Sequence, residues 1–249
     1  YFCGVLNPNC VAEGARNSWH DSLDWEYPDG VSDDQLSVEV YDSENQLLAD
    51  YFEFVGETDP DLLTGWNSSR NDIGSGFDYP YLINRASNIN EWSYQELTYD
   101  NGRVFVTNRG APAVDGREMF DMLQAYKKTQ IHEKRSYALG AIAEDELGYG
   151  KEDVADLDEG WLHEPVEFMK YNIRDVQAVV QIEEAKGVLD LYDKIRSVAG
   201  CTYSEAADSN IGIIDMVFLR QAKDENIALP TSTAPERGWY YGAKVYNPL

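Results

Sequence analysis

Two groups of residues in this sequence have the types and spacing for metal-assisted chemistry. The first centres on Asp78, in Phe77-Asp78-Tyr-Pro-Tyr-Leu-Ile-Asn-Arg85, reached from Gly65-Trp66-Asn67. Asp78 falls where a strand passes into a helix, a place where a carboxylate is both held and exposed. The second is Tyr171 with Asp175 in Tyr171-Asn-Ile-Arg-Asp175. On a helix these positions share one face, so a carboxylate that holds a cation and a phenol that orients water can act together. Each group also has a plainer reading. An Asp before a helix usually caps it, and Tyr171 and Asp175 also suit a surface pair with Arg174 as the local ion partner. Cysteine and histidine offer less: Cys3, Cys10 and Cys201 form no CxxC pair, and only His20, His132 and His163 accompany them. Neither a zinc site nor a disulfide framework is expected, and reduced thiols are preferred to a Cys3–Cys10 bridge.

The elements that must position these residues alternate between the two periods. Residues 1–8 read as a strand, residues 9–34 as a long polar loop or insertion, and Leu36–Tyr41 as an alternating strand. Ser43 offers an N-cap with Gln46 three residues on, ahead of Leu47, Leu48, Tyr51, Phe52 and Val55 at helical spacing. Asp59-Pro60 ends that helix, and 61–66 follows as a short buried strand. A second helix is expected over 79–90. Trp92–Thr98 and Arg103–Thr107 flank Asp100-Asn101-Gly102, which reads as a hairpin. Met119–Tyr126 suits either strand or helix. Ser136 should cap a helix running to Leu147 and ended by Gly148. Helices are also expected from Pro165 to Ala199, broken near Gly187, and from Asn210 to Asn226. Strands first and helices later, with βα alternation between them, indicate an α/β fold with a mainly helical C-terminal extension.

The chain has 249 residues with 43% hydrophobic content, enough for a real core. No apolar run reaches membrane-span length, no signal peptide is evident, and a cytoplasmic location is expected. Both ends read as cut rather than native. With 45 acidic against 20 basic residues the formal net charge is −25, a field that repels nucleic acid at ordinary salt. The acids are spread along the whole length. A surface adapted to a salt-rich cytoplasm, as in a halophilic archaeon or its virus, is preferred to a DNA mimic, because concentrated salt shortens the reach of the repulsion.

The order of the motifs points further. Asp59-Pro-Asp-Leu-Leu-Thr-Gly-Trp-Asn67 with Phe77-Asp78-Tyr-Pro-Tyr-Leu-Ile-Asn-Arg85 resembles the second exonuclease motif of family B DNA polymerases, and Tyr171-x-x-x-Asp175 resembles the third. Phe120-Asp-Met-Leu-Gln-Ala-Tyr126, Ser136-Tyr-Ala-Leu139 and Glu146-Leu-Gly148 are also similar to that family, and Tyr240-Tyr-Gly-Ala243 resembles the element linking its exonuclease and polymerase domains. The resemblance implies a ribonuclease-H-like exonuclease domain over 1–185, with a mixed sheet flanked by helices, and a helical connection over 186–249. It implies proofreading 3′→5′ hydrolysis of terminal nucleotides with two Mg²⁺ or Mn²⁺ ions. Asp78 and Asp175 would be metal carboxylates and Tyr171 would position the attacking water. Asn67, Phe77, Tyr240, Gly242 and Ala243 would contact DNA. The implied partners are DNA and the remainder of the polymerase chain, with a sliding clamp as a further candidate.

The sequence departs from the family pattern in two places. Ser68 to Gly76 separates Asn67 from Phe77 where the family has only a few residues, which leaves Asp72 as a rival to Asp78. Asp78 is preferred because Tyr-Pro-Tyr-Leu-Ile-Asn-Arg follows it. The family's first motif, D-x-E, is matched near the start only by Asp24-Trp25-Glu26, read here as a decoy in a polar loop. The true motif is expected upstream of residue 1, on the first strand of a three-strand meander whose second strand is 1–6. The palm motif D-x-x-S-L-Y-P is absent, so the 249 residues alone are expected to be incomplete for either activity. The alternative from another class is an acidic interaction module that keeps the fold without catalysis; a stand-alone exonuclease of the same superfamily is a third.

Overall fold

The computed structural model describes residues 2–6, 37–41, 43–69, 76–89, 92–99, 102–107, 110–149, 165–208 and 210–231. Two parallel strand pairs and one antiparallel pair form the sheet structure of these residues. Strand β1 (Phe2–Leu6) pairs in parallel with β2 (Ser37–Tyr41). Helix α1 (Glu44–Thr58) follows, capped as its sequence predicts: the Ser43 hydroxyl accepts from the Gln46 N–H. Strand β3 (Leu62–Gly65) leads towards helix α2 (Asp78–Asn88) and a 3₁₀ segment (Trp92–Leu97). Strands β4 (Val104–Val106) and β5 (Pro112–Val114) form the antiparallel pair, and β6 (Glu118–Asp121) returns parallel to β3, with Leu63 opposite Met119 and Gly65 opposite Asp121. Helices α3 (Met122–Thr129), α4 (Leu139–Leu147), α5 (Pro165–Lys186), α6 (Val188–Ala199), α7 (Tyr203–Asp208) and α8 (Asn210–Asp224) complete the described chain.

Two apolar clusters organise these elements. In one, Leu48, Phe52 and Val55 of α1 meet Leu63, Tyr79, Ile83 and Leu97. In the other, Phe120 of β6 and Tyr126 of α3 meet Ile142, Ile182, Tyr192 and Ala206. The ambiguous stretch around residue 120 is therefore both things in turn: the strand carries Phe120 into the core, and the Asp121 side chain caps the helix that begins directly after it. Residues beyond 186 share the second cluster with β6 and α3, because Tyr192 and Tyr203 each stack edge-on against Phe120.

Three expectations are corrected. Trp92–Thr98 is not a hairpin strand: its core is 3₁₀, with Tyr94 and Leu97 buried against α1. Strand β4 takes β5 as its partner, across a turn in which Gly110 N–H donates to Thr107 O (2.8 Å) and Thr107 N–H to Ala111 O (2.7 Å). Burial of an i, i+3 apolar pair outweighed the Asp-Asn-Gly turn signal. Helix α4 begins at Leu139, not beside Ser136, whose hydroxyl instead accepts from Ala138 N–H at 3.2 Å. Strands β1 and β2 run parallel, so they are not successive strands of a meander; a parallel pair needs a crossover of a dozen or more residues, which the long connection between them allows.

Candidate active site

The C-terminal ends of β3 and β6 lie side by side, and both lead towards helices. This is where a parallel pair presents side chains outward from its edge. Beyond β3, Trp66 donates its indole N–H to Tyr137 O (3.0 Å) and packs tilted against the Tyr126 ring. Asn67 then adopts a left-handed conformation, φ 61°, which Asn tolerates better than most residues. Two backbone bonds hold the start of α2 against this bend: Phe77 N–H donates to Asn67 O (2.9 Å), and Tyr79 N–H to Ser68 O (3.1 Å). The added residues between Asn67 and Phe77 thus leave the two motif ends hydrogen-bonded to each other. Asp72 lies outside the described residues.

Asp78 is the first residue of α2. The N-cap position belongs to Phe77, whose side chain makes no capping bond. The Asp78 carboxylate accepts from its own backbone N–H at the start of the helix, and a carboxylate in a first helical turn is favoured by the helix dipole. Asp78 is exposed along one edge, yet protein atoms crowd its carboxyl. That crowding raises its pKa, and the negative charge of Asp121 pushes it further the same way. Phe77 is 64% exposed and its ring lies stacked on that of Tyr81, 5.3 Å between centroids. A carboxylate of raised pKa thus sits beside an open aromatic surface.

Asp121 drew no role from the sequence, though it carries the signal that singled out Asp78: an acid where a strand passes into a helix. The uncertain element type around it obscured that signal. It is the one buried carboxylate among the described residues. Its Oδ2 accepts from Ser69 N–H (3.1 Å) and its Oδ1 from Gln124 N–H (3.2 Å). Burial raises its pKa, and the amides of Ser69, Gln124, Asn67 and Leu123 oppose that rise.

Tyr171 and Asp175 lie one turn apart on α5, both half-buried. Asp175 shares its helix face with buried Ala178 and Ile182, and Ile182 belongs to the cluster built on Phe120. That face turns Asp175 towards the body of the domain. Helix α5 packs on α4 and touches β1. Asp24, Glu26, Tyr240, Gly242 and Ala243 lie outside the described residues. Among the described residues no group of three or more His, Cys, Asp or Glu side chains is gathered for a metal ion. The donors present, carboxylates alone, suit hard cations such as Mg²⁺ and Mn²⁺.

Residues 23–142 match the exonuclease domain of DNA polymerase family B. The chain is 27% identical over 241 residues to the DNA-directed DNA polymerase of Enterobacteria phage T4, covering 91% of the chain and 26% of the phage protein. It is 29% identical over 233 residues to the corresponding enzyme of Escherichia phage RB69, covering 87% and 24%. It is also 24% identical over 232 residues to the DNA polymerase delta catalytic subunit of Glycine max, covering 84% and 20%. The chain therefore spans about a quarter or less of the length of these relatives. The motif order and these similarities point the same way, to an exonuclease domain like that of DNA polymerase family B, matched over just under half of the chain.

Proposed function

We propose that the domain removes mispaired 3′-terminal nucleotides during DNA synthesis by the polymerase that contains it, on a ribonuclease-H-like frame. The observation that carries this reading is Asp78: exposed, near a second carboxylate, and next to the open Phe77–Tyr81 aromatic pair. Asp78 and Asp175 would hold Mg²⁺ or Mn²⁺, which supplies charge stabilisation and an acidified water when bound. A carboxylate already next to another negative charge gains from a divalent cation, which supports this reading. Tyr171, one turn from Asp175, would orient the water through its phenol oxygen. Phe77 would stack on an unpaired terminal base without regard to its identity, as removal of any mispaired end requires, and Asn67 would contact the same strand. Tyr240, Gly242 and Ala243 would meet the template.

The remainder of the polymerase and primer–template DNA are the proposed partners, with a sliding clamp as a further one. Ile211, Ile214 and Phe218 recur at helical spacing on the open side of α8, an apolar stripe suited to the rest of such a chain. The region after 186 would then serve as the connection to the polymerase core, acting in the cytoplasm. The acidic surface would reflect a salt-rich interior.

The test is shortening of a 5′-labelled single-stranded oligonucleotide by the full-length gene product with Mg²⁺. Asp78→Ala and Asp175→Ala should each lower the rate on the order of 10²-fold or more, while primer extension persists. Unchanged shortening in both variants would support the non-catalytic alternative.

A further inference from the structure

The tether formed by Asp121 has a role that helix capping does not account for. A buried carboxylate is costly unless hydrogen-bonded, and only one of its two oxygens is used on its own helix. The other accepts the Ser69 amide, from the bend that follows β3. That bend in turn holds the start of α2, through Phe77 N–H to Asn67 O and Tyr79 N–H to Ser68 O. Asp78 lies between those two donors in sequence. A continuous chain of hydrogen bonds thus runs from the end of β6, through Asp121 and Ser69, to the backbone on both sides of Asp78. The Ser68 and Ser69 side chains are buried and their hydroxyls have no hydrogen-bond partner among the described residues. The bend is therefore pinned through its backbone, with Asp121 supplying the side-chain anchor.

We propose that Asp121 is a positioning residue for the exonuclease reaction: it fixes the bend at Asn67–Ser69 and so sets where Asp78 presents its carboxylate. This rests on the exonuclease reading above. Substituents at 121 can separate the two jobs of the side chain. Asn and Ser cap helices about as well as Asp, so Asp121→Asn and Asp121→Ser keep the cap on α3. Asn can satisfy only one of the two amides with its single oxygen, and Ser is too short to serve both.

The experiment uses the full-length gene product, with Asp78→Ala alongside. Shortening of a labelled single strand is followed against DNA concentration and against Mn²⁺ concentration, and thermal melting is recorded for each variant. The expected result is a kcat about 10- to 100-fold lower in both Asp121 variants. The Mn²⁺ concentration for half-activation should rise, KM for DNA should hold, and melting should stay near that of the parent. Parent-like kcat and Mn²⁺ dependence in both Asp121 variants would overturn the proposal. So would a loss that follows a lowered melting temperature with Mn²⁺ dependence unchanged, since that is a structural role only. If Asp78→Ala leaves shortening intact, the exonuclease reading itself falls; if Asp78→Ala abolishes shortening and both Asp121 variants are silent, only the positioning role falls.

Discussion

Besides Asp121, two single residues hold charge largely away from water. Glu146, with only 10% of its side chain exposed, accepts from the Tyr126 hydroxyl and pairs with Lys134 (2.6 Å) and Lys186. Burial opposes its ionisation, but the two ammonium groups and the phenol overcome it and lower its pKa from 4.5 to about 2. A depressed folded-state value means stability that is fully present above about pH 4.5 and is lost as pH falls towards about 2. Glu146→Gln should flatten that part of the acid-unfolding profile, measured by tryptophan fluorescence, and cost ~1–3 kcal/mol at neutral pH. Arg117 is the second. Its buried guanidinium donates to Leu97 O (2.7 Å) and pairs with Asp59 (2.9 Å), joining the end of α1, the 3₁₀ segment and the start of β6. Arg117→Ala should cost about 3 kcal/mol in urea unfolding, because it strands a buried carbonyl and removes a buried ion-pair partner.

At the scale of elements, the helix breaks are set by backbone conformation. Gly187 separates α5 from α6 at φ 60°, and Gly200 ends α6 at φ 76°. A Cβ at Gly187 would meet nothing nearer than Asp190 Cβ at 3.8 Å. Gly187→Ala should therefore cost only the left-handed backbone penalty, about 1 kcal/mol by chemical denaturation. A much larger loss would mean that the α5–α6 break is held by packing instead. The same logic explains which elements were legible. Ser43, Gly148 and Gly187 mark boundaries by local chemistry, and those boundaries fall where expected. The choice between a 3₁₀ turn and a strand at Trp92–Leu97 was not legible, because it turns on Leu97 reaching the α1 cluster, a contact distant in sequence.

Over the whole molecule, the net charge of −25 acts on every element at once. Like charges spread over a surface oppose compaction and repel DNA alike. If the surface is matched to a salt-rich interior, raising KCl from dilute buffer to about 1 M, where the Debye length is ~3 Å, should raise the melting temperature. Greatest stability in dilute buffer would rule that out. Over the described residues no helix is long and apolar enough to cross a membrane.

The sequence by itself determined the order of the motifs and most helix boundaries, because caps, glycine breaks and motif spacing are local properties. Tertiary structure alone decided three things: that β1 runs parallel to β2, that β4 pairs with β5, and that Asp121 reaches across from β6 to anchor the bend before Asp78. Each depends on residues far apart in the chain meeting in space. The cost of burying a carboxylate is invisible until the fold shows that it is buried and which amides satisfy it.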